Sequence, residues 1–193
     1  VIGAGEISFL SRARALDLLR DGGRLGPVAT GDFADAAPVA RERQVVVIAP
    51  GASVTLARPE LPVKAGARIA QVVPYAMEES LAGEVEQFHF SIGATDDAGS
   101  TQVAAVRREE LRGWLAALAA AGIEPLTVVP DTLCMPDNPG KTVAVLDSGQ
   151  LLVRAPGSLP VVLDAEPLTE AFALARLEGE DRHVQLYVAQ QDW

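Results

Sequence analysis

Glutamates crowd one stretch of this chain. "VVPYAMEESLAGEVEQFHF", residues 72–90, carries Glu78, Glu79, Glu84 and Glu86 next to His89, one of only two histidines. Carboxylates gathered around an imidazole are the raw material of a metal centre or an acid–base pair. Glu86 and His89 stand at Glu-x-x-His spacing, which bundle di-iron sites use when two such motifs and two further glutamates project from helices. The same spacing recurs at Glu180 and His183, where the chain opens a segment that reads as a strand. "QFHF" also alternates as a strand does, so Glu86 and His89 do not share a helical face. The residue types fit a solvated acidic face that meets a partner better than they fit a metal site.

Other stretches carry weaker chemistry. "PGKT" (139–142) ends like a phosphate-binding loop, but the glycine that motif needs at 135 is Met135, and the segment opens a strand instead of a helix. A turn accounts for it. "LDSGQ" (146–150) has more weight. Actin-type ATPases hold phosphates between two glycine-bearing hairpins; Asp147-Ser148-Gly149 has the flavour of one, and Gly3-Ala4-Gly5 is its candidate counterpart. The first hairpin lacks an acidic residue to position metal and water, Glu6 being the nearest, and a tight two-residue turn needs glycine for its backbone angles alone. No Gly-x-Ser-x-Gly elbow occurs, and neither His89 nor His183 has an evident nucleophile and orienting acid. The expectation is a chain with no catalytic, cofactor-binding or metal-binding residue.

Charge and cysteine narrow the classes further. A formal charge of -10 repels phosphate backbones and anionic lipid, so nucleic acid is not an expected partner. The single cysteine, Cys134, excludes an internal disulfide and a cysteine-rich metal site. It reads as a small buried residue in a reducing compartment, the cytoplasm. No run of 18 apolar residues is present to span a bilayer. The chain opens on Val1, which leads us to expect a piece of something longer.

The elements that must position these residues follow from periodicity. "QVVVIAP" (44–50) is a buried strand, and "SVTLARPEL" (53–61) follows as its expected antiparallel partner. Residues 64–83 read as a helix with Ile69, Val72, Val73, Ala76 and Met77 on one face, kinked or split at Pro74. "VEQFHFSIG" and "TQVAAVR" are two strands around a "DDAGS" hairpin loop. "REELRGWLAALAAAG" (108–122) is the clearest helix, with Leu111, Trp114, Leu115 and Leu118 in a stripe and Gly122 as its C-cap. "EPLTVVP" returns as a strand. Residues 141–189 then spell three meandering strands, a helix opened by Pro167, and a last strand. That βββαβ order is the opening of a ribonuclease H-like lobe. Two lobes are expected, 1–138 with insertions and 139–193 as an unfinished copy of the plan.

Several blocks together resemble a known family. They are Leu61-Pro62, Pro74-Tyr75-Ala76-Met77-Glu78-Glu79, His89-Phe90, the helix end Leu115–Gly122, Val129-Pro130-Asp131 and the hairpin Leu151–Arg154. In this order they are similar to the cytoplasmic domain of protein L of bacterial type II secretion systems, the general secretion pathway L family. The resemblance runs from about residue 44 to 155. It implies an α/β, degenerate actin-like fold of ribonuclease H-like lobes, with mixed sheets and flanking helices. It also implies a non-catalytic scaffold on the cytoplasmic face of the inner membrane, in a single-pass protein whose transmembrane helix lies outside this chain. Its partners would be the N-terminal domain of the hexameric secretion ATPase, protein E, and protein M through the membrane and periplasmic part. A homodimer is a further expected state. Glu78, Glu79 and Glu84 become the candidate partner-binding residues. The alternatives are an actin-like or sugar-kinase-like ATP-binding enzyme and the related type IV pilus-assembly protein.

Overall fold

The structure is a computed structural model. It describes residues 7–9, 29–61, 68–96, 99–136, 138, 140–177 and 183–189. The chain divides into two compact units whose segments interleave in sequence. One is Val1–Pro50 with Glu109–Val129, the other Gly51–Arg108 with Pro130–Trp193. Gly3-Ala4-Gly5 and Glu6, the candidate counterpart of the Asp147-Ser148-Gly149 hairpin, lie outside the described residues.

In the first unit, β1 (Ile7–Phe9) pairs antiparallel with β2 (Ala29–Gly31). Helix α1 (Phe33–Ala40) starts from a reciprocal cap. Asp35 N donates to Asp32 Oδ1 at 2.9 Å and Asp32 N donates to Asp35 Oδ2 at 3.0 Å, which satisfies two otherwise orphaned amides. Strand β3 (Val45–Ala49) forms where the β-branched run predicts it. Its partner, however, is β7 (Pro125–Pro130), not the following segment. Between them in sequence comes α3 (Arg108–Ala120), closed by Gly122 at φ 72° as expected. Ala36, Val47, Leu118 and Ile123 make the core, with Phe33, Trp114 and Val128 packed on it. Of the expected α3 stripe only Leu118 is fully buried; Leu115 is exposed.

The second unit holds two sheets. After the tight turn Gly51–Ser53, β4 (Val54–Ala57) pairs antiparallel with β6 (Thr101–Arg107), which also pairs with β5 (Phe88–Thr95). The expected β3–β4 hairpin is thus corrected: the turn turns the chain into the other unit, and β4 finds its ladder with a strand far ahead in sequence. Helix α2 (Ile69–Ala76) drops Val73 and the following Met77 onto Phe88, Val103 and Ala105. Pro74 sits inside this short helix without splitting it.

The other sheet has the order β10-β9-β8-β11. Strands β8 (Thr142–Asp147), β9 (Gln150–Arg154) and β10 (Val161–Asp164) form an antiparallel meander. Helix α4 (Leu168–Leu174) then crosses over to β11 (Val184–Val188), which lies parallel to β8. Both faces of the central pair are covered: Ala144, Leu151 and Val153 pack toward α4's Ala171, while Val143 and Leu152 pack against Met135. That explains why "TVAV" and "LLV" are apolar without alternation.

Candidate functional site

The acidic stretch is not a helix. Helix α2 stops at Ala76, and Glu78–Ser80 tightens into a single 3-10 turn. A second such turn, Val85–Gln87, begins after Glu84 and leads directly into β5. The expected helix to residue 83 is therefore overturned. Carboxylates at 78 and 79 would sit against the negative C-terminal end of a longer α2, and the main chain instead folds back: Met77 N donates to Val73 O and Pro74 O, and Ser80 N to Met77 O. Burial sets the path. Met77 and Phe88 are in the core and Leu81 packs against it, so the residues between are held at the surface. Glu78, Glu79, Glu84 and Glu86 are all exposed.

Two arginines fix this segment to the sheet. Arg107, the last residue of β6, donates to Ala82 O at 2.6 Å and to Gln87 Oε1 at 3.1 Å, and its guanidinium lies 5.1 Å from the centre of the Phe88 ring. Arg108 Nε donates to Glu86 O at 3.0 Å. Both bonds to main-chain oxygens spare the glutamate carboxylates. The result is an ordered acidic ridge, and Tyr75 is 71% exposed one turn before it. Glu78, Glu79 and Glu84 are thus exposed on one surface segment, the first two on a turn and Glu84 in extended backbone just before the next, and not on the expected helix.

Glu86 and His89 fall on a 3-10 turn and a strand, and both are exposed. Among the described residues no group of three or more His, Cys, Asp or Glu side chains is arranged to hold a metal ion. The Asp147-Ser148-Gly149 hairpin forms as predicted, with Ser148 at φ 52° and Gly149 at φ 74°, the left-handed pair a two-residue turn needs. A cavity of about 390 Å³ lies beside it, lined by Ala52, Ser148, Gly149, Gln150, Val162, Leu163 and Asp164. Its lining offers a carboxylate and no lysine or arginine, the wrong sign for a polyphosphate.

Sequence reasoning missed one constellation. Gly51 N donates to Asp131 Oδ1 at 2.9 Å, joining two turns far apart in sequence. Burial raises the Asp131 carboxyl above its ordinary value, and the amides of Gly51 and Thr132 only partly offset this. Cys134, expected in the core, is exposed; the Asp131–Cys134 turn directs it outward, with Sγ 3.7 Å from Pro130 O. Burial still pushes its thiol upward, and the nearby Asp131 adds to the shift. The only local hint was "VPD" three residues before the cysteine.

Comparison with known proteins converges on one family. The family model described as type II secretion system protein L matches residues 31–191. Type II secretion system protein L of Pseudomonas aeruginosa is 37% identical over 142 residues, 67% of this chain and 37% of that protein. The Vibrio cholerae protein of the same name is 30% identical over 148 residues, 76% of this chain and 36% of that one. The chain therefore spans little more than a third of these relatives. A solved structure is similar over 87% of this chain and 74% of its own, with a TM-score of 0.70 and 25% identity. It is the cytoplasmic domain of EpsL, an inner membrane component of the type II secretion system of Vibrio cholerae.

Proposed function

The chain belongs to the type II secretion system protein L family, and on that premise we propose that it is a non-catalytic scaffold. In this reading it lies on the cytoplasmic side of the inner membrane and recruits the secretion ATPase, protein E, through that enzyme's N-terminal domain. The observation that carries the proposal is the acidic ridge: Glu78, Glu79 and Glu84 exposed on main chain that Arg107 and Arg108 hold in place. A preordered charged surface loses little conformational freedom on docking, and it steers a basic partner. Supporting the location, the similar solved domain comes from an inner membrane component, and no helix among the described residues is long and apolar enough to cross a membrane. Pairing with protein M belongs to the membrane and periplasmic part.

The fold reading goes with this one. The β10-β9-β8 meander, the α4 crossover and a parallel β11 support a ribonuclease H-like lobe, and hence a degenerate actin-like architecture with lobes at 1–138 and 139–193. An actin-like ATP-binding protein is the second reading, favoured by the cavity beside the Ser148-Gly149 turn. The acidic lining weighs against it. Calorimetric titration with Mg-ATP separates the two: tight, magnesium-dependent uptake with turnover removes the scaffold. The docking test is binding of the ATPase N-terminal domain to the Glu78→Lys, Glu79→Lys, Glu84→Lys variant. Weakened binding is the expected result, and undiminished affinity at low ionic strength ends the proposal.

A further inference from the structure

A cavity that repels polyphosphate attracts the opposite charge. The space of about 390 Å³ beside the Ser148-Gly149 turn is lined by residues of the second unit alone. It follows β10, the outer strand of its sheet, to Asp164, and Ala52 of the turn before β4 completes the lining. Its charge is negative. Asp164 stands in the lining, and Asp147 adjoins it in the turn, where the Ser148 hydroxyl donates to Asp147 Oδ1 at 2.9 Å. No lysine or arginine of the lining neutralises them. The carboxylate is also ordered. Ala165 N donates to Gly149 O at 2.9 Å and ties the end of β10 to the turn, and Glu166 N donates to Asp164 Oδ1 at 3.2 Å. An ionised carboxylate accepts through both oxygens, so Oδ2 keeps its capacity for a ligand. The remaining wall is apolar, with Ala52, Val162 and Leu163, and a Cβ at Gly149 would meet nothing within 4 Å. Among the described residues no strand pairs with the outer side of β10, so the main-chain carbonyls on that side have no ladder partner.

An ordered carboxylate, outward carbonyls and an apolar wall select one cation over others. A guanidinium is planar, carries its donors in a fixed fork and is less strongly hydrated than an ammonium, and its stem is apolar. The source follows from the same lining. A free amino acid brings a carboxylate of its own, and the cavity offers it only like charge. We propose that the cavity between the Ser148-Gly149 turn and Asp164 receives an arginine side chain presented by a partner polypeptide, with its guanidinium on the Asp164 carboxylate and its stem along Ala52, Val162 and Leu163. The inference concerns a place other than the acidic ridge, and it holds or fails apart from ATPase docking there.

Amide NMR titration of this chain with a blocked Gly-Arg-Gly peptide tests it, against blocked Gly-citrulline-Gly, blocked Gly-Lys-Gly and free arginine. The expected result is a saturable set of shifts confined to Ser148, Gly149 and residues 162–165, which weakens as salt rises. Citrulline keeps the shape without the charge, and its peptide is expected to bind about tenfold or more weakly. The lysine peptide and free arginine are expected to be weaker than the arginine peptide as well. Asp164→Asn keeps an acceptor for Glu166 N and is expected to lose the preference for arginine over citrulline. The peptide series needs no substitution in the protein, so it decides the matter even where a variant fails to fold. No saturable shift, shifts centred elsewhere on the chain, citrulline, lysine or free arginine binding as tightly as the arginine peptide, or an arginine preference that survives in a folded Asp164→Asn variant would each overturn the proposal.

Discussion

Gly51 and Asp131 tie together parts of the chain that no local pattern connects. A Cβ at Gly51 would run into Asp131 Oδ1 and Thr132 Cγ2, so only glycine admits the 2.9 Å bond from its amide. Gly51→Ala is expected to destabilise the fold by about 1–3 kcal/mol through overpacking, read from the urea midpoint. Asp131 adds a pH dependence of known sign. Burial raises its carboxyl above 3.8, so the fold favours the protonated form. The associated stability is complete below 3.8, the unfolded value, and is lost as pH rises through the raised folded value. Asp131→Asn keeps an acceptor for Gly51 without the charge. It is expected to match the parent below pH 3.8 and to exceed it above the folded value, read by urea midpoints across pH. The same change removes a neighbour that holds the Cys134 thiol up, so faster alkylation of Cys134 near neutral pH is the expected companion result.

Elements here are short, and several depend on side chains from elsewhere. Segment 78–87 has no regular structure beyond two 3-10 turns, and Arg107 supplies what a hydrogen-bonded ladder would have supplied. Its planar fork reaches Ala82 O and Gln87 Oε1 while its face covers Phe88, a combination an ammonium cannot reproduce. Arg107→Lys is expected to cost about 1–2 kcal/mol and to raise amide exchange selectively across 78–87, measured by hydrogen exchange. Unchanged protection there would mean that the ridge is ordered by Met77, Leu81 and Phe88 alone. Helix α1 contrasts with this segment: its reciprocal Asp32–Asp35 cap is entirely local and was written in "GDFAD".

For the whole molecule, charge governs what can approach and where. On the proposed docking to the ATPase N-terminal domain, a net charge of -10 with an ordered carboxylate ridge predicts association that slows as ionic strength rises. The Glu78→Lys, Glu79→Lys, Glu84→Lys variant is expected to bind about tenfold or more weakly and to lose most of that salt dependence, measured by stopped-flow or surface binding. Equal salt slopes for parent and variant would move the docking surface elsewhere. The interleaving of the two units belongs to this scale as well. Each is assembled from two separated stretches, so the chain leaves a unit and returns to it.

The amino-acid order by itself determined the strongly periodic elements: β3, β6, α3, the β8–β9 hairpin and the meander, crossover helix and last strand of residues 142–188. It also determined the family, because motif blocks in order are a local property of the chain. Tertiary structure decided the rest. It gave β4 to β6 and β3 to β7, because strand partners are chosen by contacts across long sequence separations, and adjacency along the chain carries no information about them. It turned the glutamate stretch from helix into paired turns, because burial of Met77 and Phe88 and the reach of Arg107 outweigh weak helix propensity at the end of a short helix. It exposed Cys134 and joined Gly51 to Asp131, because the direction in which a turn points its side chains is set by what the turn packs against.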